Sequence, residues 1–406
     1  MWEQIRSNRL RSVVLVVVLG ALLLLLGWFL GKAFVNNGVA GLIIVLVVYG
    51  FMNFIAYFQG DSILLSVAGA RKIKPEDHPR LYNVVEEMKI ASGLEKMPDV
   101  YIIDDPALNA FATGRDINHA SVAITSGLLQ RLNRDELQGV IAHEISHIKN
   151  RDVLLMTMCS VLLGTIVILS YYGSRVMMFG GMGTRSRRSS SKDSGGNAGA
   201  IIMVVALVLM ILAPIFAQLI YYAISRKREY LADASSALYT RYPEGLASAL
   251  EKLSQSVTPV HAANQATAPM YIVNPFRNKG MKINDLTSTH PPIQERIRIL
   301  RAMSGGASFA VYDQAYRKVK NTQSGVISST TATVVGAVGL RSASTEGALD
   351  EPQSEKVART REVNDLMYRM NDYRIIDCEC GTKLKVPPSM LGTVIQCPRC
   401  GRNHQS

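Results

Sequence analysis

The chain is 406 residues long, 48% of them hydrophobic, with 44 lysines and arginines against 32 acids and a formal net charge of +12. This length exceeds one small domain, and of the five cysteines Cys159 lies in an apolar run and four gather near the C-terminus, a grouping that suits a metal site in a reducing compartment better than a disulfide framework. The basic balance alone would admit nucleic acid, but the apolar residues gather in long runs, and positive charge beside such runs is explained by anchoring against anionic lipid. A lipid bilayer is the expected partner and nucleic acid is not.

Four runs carry no charge: Val13–Leu30, Val39–Phe58, Val153–Tyr172 and Ala200–Ile224. Each approaches the roughly 20 residues that cross a bilayer core. Arg6, Arg9 and Arg11 precede the first run. Its apolar core is longer than the roughly 7 to 15 residues of a signal peptide, and a second run follows at once. Residues 1–60 therefore read as an uncleaved transmembrane hairpin with both ends in the cytoplasm. The second pair, 153–225, is joined by a loop bearing Arg175, Arg185, Arg187, Arg188 and Lys192, charges that resist translocation. It reads either as a crossing hairpin or as a re-entrant one, with disorder expected over 180–199. Basic residues at the presumed cytoplasmic ends, such as Arg71, Lys72, Lys149 and Arg226, place the chain as a multi-pass cytoplasmic (inner) membrane protein with both termini inside.

Between the hairpins, Leu81, Val84, Val85 and Met88 give helical spacing over Pro75–Leu94. Strands are predicted at Val100–Ile103 and Ser121–Thr125. Asn133 followed by Glu136 is a capping-box pattern, opening a helix that runs through His147. Further helices are predicted over Tyr242–Leu253 and Pro291–Met303. Residues 304–372, rich in Ser, Thr, Ala and Gly over much of their length, read as a flexible linker.

The chemistry concentrates in His143-Glu144-Ile145-Ser146-His147. On a helix, positions i and i+4 share a face, so both imidazoles can reach one zinc ion, and Glu144 can take a proton from a water which that metal activates. Two ligands hold zinc poorly. A third is supplied where the fourth apolar run ends, in Ser225-Arg226-Lys227-Arg228-Glu229-Tyr230-Leu231-Ala232-Asp233. A membrane hairpin returns Glu229 to the histidines as the third ligand, and Asp233 would hydrogen-bond the far nitrogen of a zinc histidine. The plain alternative is a charged surface helix without metal.

Together the HEISH segment, the hairpin and SRKREYLADASSA resemble the HtpX-like membrane-bound zinc metallopeptidases, of gluzincin type, over about residues 1–303. The resemblance implies His143, His147 and Glu229 as zinc ligands and Glu144 as general base. It also implies internal peptide bonds of misfolded or damaged membrane proteins as the substrate. Asn109-Ala110-Phe111-Ala112 resembles the edge segment by which this class grips an extended peptide through backbone groups and an Asn side chain. Thr289-His290-Pro291-Pro292, with Arg296 following, resembles another family motif. His290 would donate to the oxyanion or occupy the open zinc position at rest; an N-capping or surface histidine is the alternative.

The tail is an addition to that pattern. Cys378-Glu379-Cys380-Gly381 and Cys397-Pro398-Arg399-Cys400-Gly401 form two knuckles around a segment fit for a small hairpin. Four thiolates, from Cys378, Cys380, Cys397 and Cys400, suit a second, structural zinc in a zinc-ribbon-like domain over 373–406. Such a domain would take a protein partner or substrate; nucleic acid is disfavoured because no aromatic lies between the knuckles. The fold class is α+β: a multi-span helical membrane protein whose mainly helical cytoplasmic zinc-peptidase domain, 61–303, carries a small sheet and is interrupted by the second hairpin. Two competing functions are a prenyl-protein protease with one defined substrate and a catalytically silent, membrane-tethered binding module. The complete His143, Glu144, His147 and Glu229 set argues against the latter.

Overall fold

The computed structural model describes residues 2–180, 196–256, 258–261, 270–273, 290–327, 337–344 and 353–405. Of the stretch 180–199 where disorder is expected, 181–195 lie outside them, whereas Gly180 and residues 196–199 are helical.

Two apolar helices come first, α1 (Trp2–Val35) and α2 (Gly38–Val67). Within them Val17–Val35 and Gly38–Ile55 are long and apolar enough to cross a membrane. The turn between them is set locally. Asn36 adopts φ 52°, and the Asn37 side chain accepts from the Val39 and Ala40 N–H groups and caps α2. Glycines then let the two backbones touch: a Cβ on Gly31 would lie 2.5 Å from the Gly41 Cα.

The last turns of α2 pack on a four-stranded sheet. Its strands are β1 (Ala70–Lys72), β2 (Asp99–Ile103), β3 (Ala110–Asp116) and β4 (His119–Thr125), in the order β1-β2-β4-β3. The β2 and β4 pair is parallel and the others are antiparallel, which leaves β3 at the outer edge. Side-chain alternation gives the sheet two apolar faces. Ile103, Phe111 and Ala123 meet Leu65 of α2 and its C-cap Ala68, whereas Val100, Ile102, Ala112, Val122 and Ile124 enter the main core.

That core is built on α3 (Pro79–Ser92), α4 (Ser126–Arg131) and α5 (Arg134–Lys149). Asn133 and Glu136 close the expected capping box on α5, each side chain bonding the other's backbone N–H. Then come α6 (Asp152–Gly180), α7 (Gly196–Thr240), α8 (Pro243–Gln255) and α9 (Ile293–Arg301). Leu162 and Ile166 of α6 and Met210, Ala213 and Ala217 of α7 pack with Leu19, Leu23 and Leu26 of α1 and Val45 of α2, forming a four-helix cluster. Helix α7 continues without interruption from that cluster into the core, where Leu231 and Ala234 are buried.

The reading of 304–372 as a flexible linker needs correction. Residues 309–320 form α10 (Phe309–Lys320) and 353–370 form α11 (Gln353–Met370). Val363, Leu366 and Met367 recur at i, i+3 and i+4 and are buried in the main core, while Arg359 donates to the Gln130 carbonyl and Gln130 to Asn364. Residues 328–336 and 345–352 of that stretch lie outside the described residues. The tail also differs from one hairpin between the knuckles. Each knuckle is the turn of its own hairpin, β5 (Arg374–Asp377) with β6 (Lys383–Val386) and β7 (Val394–Gln396) with β8 (Asn403–Gln405). The first hairpin is tied to α11 by Lys383 and Lys385, 3.0 and 3.1 Å from Asp365, and by Lys385 over the Tyr368 ring.

Candidate metal centre

Helix α5 stacks His143 and His147 one turn apart, with their Nε2 atoms 3.3 Å from each other. Helix α7 brings Glu229 to them: Oε2 lies 3.5 Å from His143 Nε2 and Oε1 lies 3.4 Å from His147 Nε2. A tetrahedral metal with bonds of about 2.0–2.1 Å separates its ligands by about 3.3 Å, so these separations, with one Glu229 oxygen facing each histidine, have the right size for zinc. Charge fits as well. Among the described residues, Glu144, Asp152, Glu229 and Asp233 are buried beside two buried guanidinium groups, Arg228 and Arg296. With neutral imidazoles two negative charges remain, which a divalent cation cancels. Glu144 Oε1 is buried without a hydrogen-bond partner among the described residues, as suits an acceptor awaiting a water.

Each histidine is held from behind. Asp233 Oδ1 is 3.0 Å from His143 Nδ1, and Arg296 grips Asp233 through Nη2 at 2.6 Å and Nε at 2.8 Å. Arg296 also lies 3.2 Å from Glu229 Oε2 and donates to the Ile272 carbonyl. His147 Nδ1 faces Asp152 Oδ2 at 3.3 Å, and Arg228 Nη1 holds the other Asp152 oxygen at 3.1 Å.

These contacts set the protonation states of the metal-free site. Burial raises the Glu144 carboxyl against the pull of His143 and His147, the direction a general base requires. Burial would lower His147, but hydrogen bonds to Asp152 and then Glu229 outweigh it and carry it up to about 10. His143 is raised despite burial by its hydrogen bonds to Asp233 and Glu229. Burial pushes His290 down to about 4, so it is neutral at pH 7. A neutral His290 exerts little pull on Glu229; that carboxyl stays well below its usual range, against burial, through His143, His147 and Arg296.

Asn109 and Ala110 sit where β3 begins, and both are engaged within the chain. The Asn109 side-chain N–H donates to the Val273 carbonyl at 3.1 Å, the Ala110 carbonyl accepts from Ile272 N–H at 3.0 Å, and Phe111 bridges to Tyr271. Segment 270–273 therefore lies along the edge on which a peptide was expected. His290 is buried, but it is outside the group of three ligands.

The four tail cysteines form a second group able to hold a metal. Sγ separations of 3.4, 3.4 and 3.7 Å link Cys378 to Cys400 and Cys380, and Cys380 to Cys397; about 3.8 Å is the edge of a tetrahedron with 2.3 Å zinc–sulfur bonds. Gly381 and Gly401 turn both knuckles at positive φ, 80° and 73°.

Sequence reasoning missed Asp152 and Arg228 and gave Arg296 no task. Asp152 and Arg228 flank apolar runs, where charge reads as topology. The one signal for Asp152 was its place five residues after His147, just past the end of α5.

The sequence matches Peptidase family M48 over residues 75–304. It is 46% identical over 302 residues to a protease HtpX homolog from Dictyoglomus thermophilum, covering 74% of this chain and 94% of that protein. It is 40% identical to the protease HtpX homolog of Streptococcus uberis, covering 75% of this chain and all of that one. The crystal structure of S. mikatae Ste24p matches with a TM-score of 0.42 at 19% identity, over 74% of this chain and 67% of that one. By this family match and these relatives, the chain belongs to peptidase family M48 and is a membrane zinc metalloprotease.

Proposed function

We propose that this protein is an endopeptidase of the cytoplasmic membrane face that cleaves misfolded or damaged membrane proteins. The observation that carries this reading is the placement of the three ligands. His147 lies five residues before α6 begins, and Glu229 lies on the helix that leaves the apolar cluster, so the site sits where α6 and α7 emerge from that cluster. Its outer neighbour β3 is an edge strand, which reads main chain and tolerates many sequences. Segment 270–273 would yield to an extended substrate there, leaving Asn109 and the Ala110 carbonyl to bind it.

His143, His147 and Glu229 would hold the zinc, which supplies Lewis acidity and a water of lowered pKa. Glu144 takes the proton from the attacking water and passes it to the leaving amine. His290, as a neutral imidazole, donates to the developing oxyanion. Asp233 and Arg296 keep the His143 ring in its tautomer. No side chain of the site is a covalent nucleophile in this scheme.

Four crossings are the topology favoured by the packing. A Cβ on Gly173 of α6 would lie 3.1 Å from Leu30, near the far end of α1, so α6 reaches the same depth as the first span. The cluster also turns apolar side chains outward on all four helices, among them Val17, Val47, Phe51, Ile168, Val204 and Phe216. Both termini then lie inside. A second, structural zinc in the four-cysteine tail completes the reading, and the tail is a candidate docking site for a protein partner. Two zinc ions per chain, falling to one in Cys397→Ser, would support that assignment; one ion in both proteins would sink it.

The substrate class is tested by comparing membrane proteomes of cells carrying the wild type or Glu144→Gln. Damaged membrane proteins should accumulate and co-purify with the variant. Enrichment of a single prenylated protein would instead select the competing protease function.

A further inference from the structure

We propose that Asp152 and Arg228 are positioning residues that tie the orientation of His147 to the membrane hairpin. The inference rests on the metalloprotease reading of the site and adds residues to which that reading gave no task. Asp152 opens α6, and Arg228 lies on α7 one residue before Glu229, so the pair spans the two helices where they leave the apolar cluster.

The contacts form a chain. Arg228 Nη1 lies 3.1 Å from Asp152 Oδ1 and also donates to the Asp152 backbone carbonyl at 3.3 Å. Asp152 Oδ2 faces His147 Nδ1, which leaves Nε2 directed at Glu229. The second histidine has the same arrangement, Arg296 to Asp233 to His143 Nδ1, built from α9 and α7. Two imidazoles are thus each backed by a carboxylate and a guanidinium.

The local backbone is shaped for this contact. Helix α5 ends at Lys149, and Arg151 takes φ 57°, a left-handed conformation that a long side chain rarely adopts. That one residue turns the chain from α5 into α6 and returns Asp152 toward the end of α5. Strained backbone kept beside a site is explained when the geometry it enforces is used. The burial of the pair points the same way. Asp152 and Arg228 side chains are 3% and 6% exposed, and a buried ion pair can often be replaced by apolar residues without loss of stability. Its presence here is accounted for by the directional task of holding a ring. Because the partners lie on different membrane helices, the His147 orientation requires α6 and α7 to stay side by side.

The test uses the full-length chain in nanodiscs and compares wild type, Asp152→Asn, Asp152→Glu and Arg228→Gln. Zinc affinity is read by chelator competition, and the catalytic site is read by its cobalt(II) d–d spectrum in a Cys397→Ser/Cys400→Ser background. With affinities referred to the fully deprotonated site, Asp152→Asn and Arg228→Gln should each weaken zinc about 10- to 100-fold and shift the cobalt bands, lowering kcat with little change in KM. Asp152→Glu should recover part of the affinity. Wild-type affinity and spectrum in both Asp152→Asn and Arg228→Gln would overturn the proposal. So would equal losses in Asp152→Asn and Asp152→Glu with an unchanged spectrum, which indicate a fold defect alone. Should one variant not fold, the other decides by the same readouts.

Discussion

Replacing Leu366 by alanine tests whether the tail helix is part of the peptidase body. Leu366 is 1% exposed, and with Val363 and Met367 it is the apolar anchor of α11 in the main core. Removing three buried carbons at about 0.8 kcal/mol each, together with an incompletely closed cavity, costs about 3 kcal/mol. If α11 opens locally, that loss corresponds to roughly 150-fold faster amide exchange along it. Hydrogen exchange read by mass spectrometry on full-length protein in detergent measures this directly. Val357→Ala is the control, since Val357 is 38% exposed and its truncation should change stability by less than about 0.5 kcal/mol. Exchange of α11 at unfolded-chain rates in the wild type, or no difference between the two variants, would refute the docking of α11.

Zinc affinity should depend on pH. Metal binds neutral imidazole, and in the metal-free site His147 keeps its proton to about pH 10, so affinity rises about tenfold per pH unit between 7 and 9 from this proton alone. Competition titrations showing a flat affinity across that interval would contradict the protonation state. Arg296→Met strands Asp233 and Glu229 without their guanidinium partner and should destabilise the metal-free protein by about 3–5 kcal/mol. Added zinc should restore more of the melting temperature in this variant than in the wild type; equal shifts would count against the charge balance of the site.

Much of this site was legible because its chemistry follows helical periodicity. The i, i+4 histidines, the capping box at Asn133 and the return of Glu229 after an apolar hairpin all rest on spacing along the chain, and the structure brings those groups within hydrogen-bonding range. What spacing does not carry is contact between distant segments. Arg296 meets Asp233 across 63 residues, and Ile272 meets Ala110 through backbone atoms, which no side-chain pattern announces. Helix α11 was hidden differently. Val363, Leu366 and Met367 stand at helical spacing, but charged neighbours dilute them, and a composition-based reading sees only polarity. The tail knuckles were recognised by their cysteines, whereas the pairing of β5 with β6 and β7 with β8 depends on which flanks close over each turn.

The central claim, hydrolysis by a water that Glu144 deprotonates at a zinc held by His143, His147 and Glu229, is tested most directly by turnover of Glu144→Gln at full metal occupancy. Zinc should stay bound, because Glu144 is outside the group of three ligands, while cleavage of a membrane substrate falls by at least about 10²-fold. Cleavage at the wild-type rate by the zinc-loaded variant would contradict the account.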